Sequence, residues 1–230
     1  MDGPLIEARD LGKSFGSSPI LRAVNFTVGA GAGAMIIGRN GAGKSTLVSV
    51  LAGLSAPAAG AALLFGHPSR ALEPAWRRRV GLLTHQSFLY PNLSARENLQ
   101  FYGVLYGLGG ADAITTHWLE RMGLAAAADE RVRTFSRGME QRLSLARAML
   151  PAPDVLLMDE PFAALDADGA ALVAAVLKEA IARGCAVVIT AHEPLSFEGM
   201  RFELLEIVRG RLLQLAEEGA TGRLRPVYAR

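Results

Sequence analysis

The sequence holds a single cysteine among its 230 residues, Cys185. An internal disulfide is therefore excluded, and its place in the apolar run CAVVIT marks it as a small buried hydrophobe. Such sparing use of cysteine fits a reducing compartment. Net charge is also nearly absent: 24 Lys and Arg against 22 Asp and Glu leave +2. That is short of the concentrated basic face that phosphate-backbone binding needs, so no nucleic acid is expected as a partner. The one basic run, WRRRV at 76–80, reads as a solvated face. No apolar stretch reaches the roughly 18–20 uncharged residues of a membrane span. The start, MDGPLIEARD, lacks the basic region and apolar core of a signal peptide. Internal repeats of about 20–50 residues are missing as well. The expectation is a soluble intracellular chain that reaches a membrane only through a partner.

What the chain has is apolar mass. Half of its residues are hydrophobic, enough for a large core. LIEAR and AVNFTV read as strands, the second with Val24, Phe26 and Val28 on one side. AMIIG is a short apolar run ending in glycine, and STLVSVLAGL after it reads as a helix. VGLLTH, DVLLMDEP and AVVITAHE are further strands, and LLEIV-RG-RLLQL reads as a closing hairpin. Ser94 to about Tyr106 reads as a helix, with Ser94 and Glu97 spaced as a capping box. The stretch 111–150 is mostly helical in pattern, and 166–184 is a helix closed by Gly184. Short apolar strands alternating with helices call for a parallel sheet covered on both faces.

GRNGAGKST at 38–46 supplies the sharpest local signal, matching G-x-x-x-x-G-K-[ST] through Gly38, Gly43, Lys44 and Ser45. Gly41 and Gly43 let the backbone turn so that successive N–H groups face one concavity, and the helix that follows aims its positive end there. Lys44 is expected to reach the β- and γ-phosphates of a nucleoside triphosphate, and Ser45 to bind Mg²⁺. VLLMDEP then ends a strand in Asp159 and Glu160, which in a parallel sheet lie beside the phosphate loop. Asp159 is expected to hold Mg²⁺ and Glu160 to orient and polarise the attacking water. His192, at the end of AVVITAHE, is either a plain strand-end polar group or a partner for the γ-phosphate and the water. Gln86, just past VGLLTH, is either a surface amide or a Mg²⁺ ligand that senses the γ-phosphate. Ser136 in FSRGMEQR is a good N-cap, which leaves open whether it is only that.

In this order the motifs resemble the nucleotide-binding domain of ABC transporters, from about residue 4 to 216. GRNGAGKST (Gly38, Arg39, Asn40, Gly41, Ala42, Gly43, Lys44, Ser45, Thr46) resembles Walker A, and VLLMDE resembles Walker B with its catalytic glutamate. Gln86 falls at the Q-loop, FAALD at the D-loop and His192 at the switch histidine, while Phe15 sits where the family stacks a ring on adenine. FSRGMEQR resembles the signature sequence, with Arg137 in place of its first glycine and Met139 in place of its glutamine. The resemblance implies an α/β P-loop NTPase core with an N-terminal antiparallel β subdomain, a helical subdomain inserted at about 88–150, and a short basic tail at 217–230 carrying Arg223, Arg225 and Arg230. It also implies ATP and Mg²⁺ as cofactors. A homodimer is implied as well, in which Ser136 and Gly138 of one copy cap the γ-phosphate held by the other.

Two classes of function follow from the resemblance: the motor of a membrane transporter, or a soluble ATPase of the same fold. Soluble relatives usually carry two ATPase domains or a long coiled-coil insertion, and neither is seen, which favours transport. The stretches HQSFLYPNLSARENLQFYGVLYGL and FSRGMEQRLSLARA are most similar to the ATPase subunit of haem exporters used in cytochrome c maturation. Similar stretches occur in drug and polysaccharide exporters. No added regulatory domain is expected. The resemblance places the subunit at the cytoplasmic face of a bacterial inner membrane, with an integral membrane permease docked on about 86–108. Phe88, Leu89 and Tyr90 are expected to be exposed there, with Phe101 claimed by the helical core.

Overall fold

A computed structural model describes residues 3–195, 199–200, 202–218 and 223–227. β1 (Ile6–Phe15) and β2 (Ser18–Val28) form an antiparallel hairpin with Ile6 opposite Val28. β3 (Gly33–Ile37) leaves this sheet for a second one. β4 (Ala59–Leu64) then pairs with the free side of β1, and β5 (His67–Pro68) with β4, completing a four-stranded antiparallel sheet. The sequence reading did not find β4 and β5. AGAALL contains no β-branched or aromatic residue, so only tertiary pairing makes it a strand.

The larger sheet has seven strands. β6 (Val80–Leu83), β7 (Val155–Met158), β8 (Ala186–Ala191), β3 and β9 (Phe202–Val208) are parallel neighbours in that order. β10 (Arg211–Glu218) returns antiparallel through the turn Arg209–Gly210, where both residues have positive φ. β11 (Arg223–Val227) pairs with β10 in turn, Gln214 opposite Val227. The segment expected as a plain tail therefore contributes a strand. Its short run, RLRPV, carries a proline that an edge strand tolerates and that weakens a strand signal. Met1, Asp2, residues 219–222 and 228–230, with Arg230, lie outside the described residues.

The parallel strands are apolar on both sides because both sides are covered. Met35, Ile37, Leu156, Met158, Val187 and Ile189 face one core. That core is closed by α3 (Ala95–Leu105), α4 (Ala111–Arg121), α5 (Arg137–Met149) and α6 (Ala167–Ala182). Alternate residues of the same strands, Ala34, Ile36, Val155, Leu157, Ala186 and Val188, face a second core built from α1 (Lys44–Leu51) and the antiparallel sheet. The capping box forms as expected: Glu97 N–H donates to Ser94 Oγ at 3.1 Å, and Ser94 N–H to Glu97 Oε2 at 2.7 Å. Cys185 is buried as expected, and burial pushes its thiol up to about 12. Among the described residues, no helix is long and apolar enough to cross a membrane.

WRRRV is more than a solvated face. α2 (Pro74–Arg77) opens onto the run, and Arg77 donates to Leu72 O at 3.0 Å. Arg79 lies 4.9 Å from the Phe65 ring and 4.7 Å from the Trp76 ring, and its Nε donates to Asp154 Oδ2 at 2.5 Å. It thus clasps the antiparallel sheet to the entry of β7. Arg79→Ala is expected to cost about 1–2 kcal/mol, read as a melting temperature lower by about 3–6 °C. An unchanged melt would make the stacking incidental.

Candidate functional site

β3 delivers the chain into the loop 38–43 at the C-terminal edge of the large sheet, and α1 leaves it at Lys44. Gly43 sits at φ 109°, and a Cβ there would lie 2.9 Å from Ile20 Cγ2, so only glycine fits both the backbone and the space. No side chain caps α1, so its first-turn N–H groups stay available to an anion. Lys44, only 5% exposed, folds back over the loop and donates from Nζ to Gly38 O at 2.7 Å and Arg39 O at 3.4 Å. A cavity of about 200 Å³ opens here, lined by Phe15, Ile20, residues 40–46 and Glu160. Gly38 and Arg39 border an adjoining cavity of about 430 Å³ with His192, Glu193 and Glu206. The loop, Ser45 and Thr46 are thus gathered in one place, with Phe15 59% exposed at the rim and its ring 5.0 Å from Lys13 Nζ.

The acids arrive on β7. Val155 and Leu157 point into the second core, and Asp159 continues their column where the strand runs out of apolar neighbours. Its N–H donates to Leu83 O at 2.9 Å. Glu160 follows with φ 50°. Its carboxylate spans two elements: Oε1 is 3.5 Å from Lys44 Nζ and Oε2 is 3.1 Å from His192 Nε2. The carboxylate, the loop lysine and the histidine past β8 therefore meet at one sheet edge, as the sequence order required.

Thr190 is the residue that sequence reasoning missed. It is fully buried on β8, donates from Oγ1 to Asp159 Oδ1 at 2.6 Å and accepts from Glu160 N–H at 3.0 Å. A hydroxyl inside the otherwise apolar strand run AVVITA was the available signal.

Other expected residues lie apart. Gln86 is exposed and does not line the cavity beside Lys44; its N–H donates to Thr84 Oγ1, which donates in turn to Gln86 O. Ser136 caps α5 by accepting from Met139 N–H at 3.2 Å, and it remains exposed. A Cβ on Gly138 would lie 3.1 Å from Ala164 O, so α5 starts hard against the loop 162–166 of its own chain. Arg137 is exposed beside a separate cavity with Thr84, His85, Ser87, Glu140 and Gln141. Ser136 and Gly138 are therefore not brought to their own chain's phosphate loop. Phe88 and Tyr90 are exposed as expected, whereas Leu89 is half-buried against the helical core. Phe101 departs from expectation: it is 42% exposed, edge-on to Tyr90 and Tyr102 rather than inside the core.

Asp159 and the Ser45 hydroxyl are hard oxygen donors of the kind Mg²⁺ takes. Among the described residues no group of three or more His, Cys, Asp or Glu forms a self-sufficient metal cage.

The ABC transporter family model matches residues 21–163. Nod factor export ATP-binding protein I of Paraburkholderia xenovorans (strain LB400) is 36% identical over 221 residues, covering 95% of this chain and 72% of that protein. Cytochrome c biogenesis ATP-binding export protein CcmA 2 of Cupriavidus metallidurans is 37% identical over 205 residues, covering 89% of this chain and 97% of that protein. A solved structure described as the ATP binding subunit of an ABC transporter superposes with a TM-score of 0.83 at 28% identity, over 90% of this chain and 88% of the other.

Proposed function

The chain belongs to the ABC transporter family as an ATP-binding, ATP-hydrolysing subunit, and from that premise we propose how its residues divide the work and what the work is for. The observation that carries the reading is the Glu160 carboxylate held 3.5 Å from Lys44 and 3.1 Å from His192. Backbone N–H groups of residues 40–46 and Lys44 grip the phosphates, and Phe15 stacks on the base. Glu160 takes a proton from the attacking water, and His192 holds that water and the γ-phosphate in line. Gln86 would reach Mg²⁺ and the γ-phosphate only by movement of the loop after β6, because here it is exposed and apart from the cavity. Asp159 and Ser45 would hold Mg²⁺, which would supply positive charge beside the phosphate oxygens. Ser136 and Gly138 lie away from their own loop, which supports a second copy of the chain supplying them across a nucleotide-dependent homodimer.

The dimer drives a separate integral membrane permease from the cytoplasmic face of a bacterial inner membrane, as a peripheral subunit. The cargo is haem for cytochrome c biogenesis, in the direction of export. Support for it comes from the segments 85–108 and 135–148 and from the 37% identical cytochrome c biogenesis relative. The Nod factor export relative favours a second reading, an exporter of another compound. Deleting the gene and staining membranes for covalent haem separates the two. Loss of c-type cytochromes, restored by the wild-type chain and not by a turnover-dead variant, supports haem export; unchanged cytochromes favour the second reading.

The permease docks on about 86–108, where Phe88, Tyr90, Phe101, Val104 and Leu105 are exposed. Phe88→Asp places a charge in that apolar patch. It is expected to lower transport at least about tenfold while ATP turnover of the subunit alone stays within about twofold. Normal assembly and transport in this variant would remove residue 88 from the interface.

A further inference from the structure

We propose that Thr190 is a positioning residue for ATP hydrolysis, its hydroxyl fixing Glu160 and Asp159 together at the sheet edge. This rests on the assignment of Glu160 as the group that activates water. Three observations converge on it. Thr190 is fully buried, so its hydroxyl has no access to solvent and must find its partners in the protein. It finds two on one neighbouring turn, as donor to the Asp159 carboxylate at 2.6 Å and as acceptor from the Glu160 N–H at 3.0 Å. Finally, Glu160 is in the left-handed region at φ 50°, a conformation that costs a non-glycine residue about 1 kcal/mol or more and persists only where its surroundings hold it.

The position of Thr190 in the strand explains why a hydroxyl is needed. Ala186 and Val188, four and two residues earlier, are apolar and point into the second core beside Val155 and Leu157. Valine at 190 would continue that column without a change in volume. It would also leave a buried Asp159 oxygen and the Glu160 N–H without their partner, at the turn where the carboxylate is aimed. The Glu160 side chain reaches between Lys44 and His192 from a backbone held in the left-handed region just after Asp159. If that turn relaxes toward the extended region, the carboxylate swings away from the line that water must take. Displacements of about 1 Å in such a site cost about 100-fold in rate.

The test compares Thr190→Val, Thr190→Ser and Glu160→Gln in the purified chain and in its complex with the membrane partner that copurifies. Thr190→Val is expected to lower kcat about 10- to 100-fold with KM for ATP within about threefold. Thr190→Ser, which keeps the hydroxyl, should restore kcat to within about threefold of wild type. The affinity for a fluorescent ATP analogue should be close to wild type for both, because the phosphate loop is untouched; Thr190→Ser should melt as wild type, and Thr190→Val a few degrees lower, because two buried polar groups lose their partner. Wild-type kcat in Thr190→Val, alongside an inactive Glu160→Gln, overturns the proposal while leaving Glu160 in its role. Wild-type turnover in Glu160→Gln overturns the assignment beneath it instead. Should Thr190→Val melt early, Thr190→Ser decides: a serine variant that melts normally but turns over as slowly as valine shows that the hydroxyl is not what matters.

Discussion

Glu160→Gln stops turnover and leaves ATP bound. The expected fall in kcat is about 100-fold or more, the range for removing a general base from a site that otherwise keeps its donors. Glutamine preserves the length and planar end of the side chain, so the contacts at 3.5 Å to Lys44 and 3.1 Å to His192 can be kept sterically, but it neither carries charge nor accepts a proton. Losing the carboxylate also removes a negative charge from beside the phosphate loop, so the triphosphate should bind at least as tightly as in wild type. The two effects together trap the ATP-bound form. Sizing the protein with ATP and Mg²⁺ reads this directly. The variant runs as a dimer with ATP, whereas the wild type cycles back to monomer. A wild type and variant that both stay monomeric would mean that closure needs the membrane partner, or that Arg137 and Met139 have altered how the helix at Ser136 meets a neighbouring copy. A variant that hydrolyses ATP at the wild-type rate removes Glu160 from the chemistry.

Which parts of this site could be read beforehand depends on whether a residue's task is local. The loop 38–46 is legible because glycine spacing, lysine and the strand–loop–helix context all sit within a few residues, and the structure gathers them around one cavity. The capping box at Ser94 and the closing hairpin are legible for the same reason. Asp159, Glu160 and His192 could be placed because parallel strands deliver their C-terminal ends to one edge. Thr190 was not found, since its partners are 30 and 31 residues away and nothing local distinguishes a buried threonine from strand filler. β4 escaped because alanine and glycine carry no strand preference, so its pairing with β1 comes entirely from tertiary contacts. Arg79 looked like part of a charged face because two of its partners, Phe65 and Asp154, are 14 and 75 residues away in the sequence. Phe101 was expected inside the helical core, and helix geometry leaves it on the face shared with Val104 and Leu105, both well exposed.

Lys44→Ala is expected to abolish function one step earlier, at binding. The Lys44 ammonium is 5% exposed and sits over the very loop whose N–H groups must meet the phosphates, with Gly38 O 2.7 Å away and Glu160 3.5 Å away. A cation with so little solvent around it interacts strongly with an incoming polyanion, because water does not screen it. Its loss should raise the Kd for ATP about 100-fold, near 3 kcal/mol, the scale of charge-assisted hydrogen bonds to phosphate. The substitution should also lower the melting temperature by a few degrees. It leaves Gly38 O, on a residue held at φ 152°, without its donor, and it takes the cation away from Glu160. Binding and stability therefore fall together, but they separate in one experiment. Thermal melts with increasing ATP should show a rising midpoint for wild type and a flat one for Lys44→Ala, whatever the starting midpoint. Because Glu160→Gln should melt higher with ATP than wild type, the pair of variants brackets the reaction: one cannot take up the nucleotide, the other cannot release the energy in it. An ATP-dependent rise in Lys44→Ala equal to that of wild type would mean that the phosphates are held somewhere other than the loop 38–46.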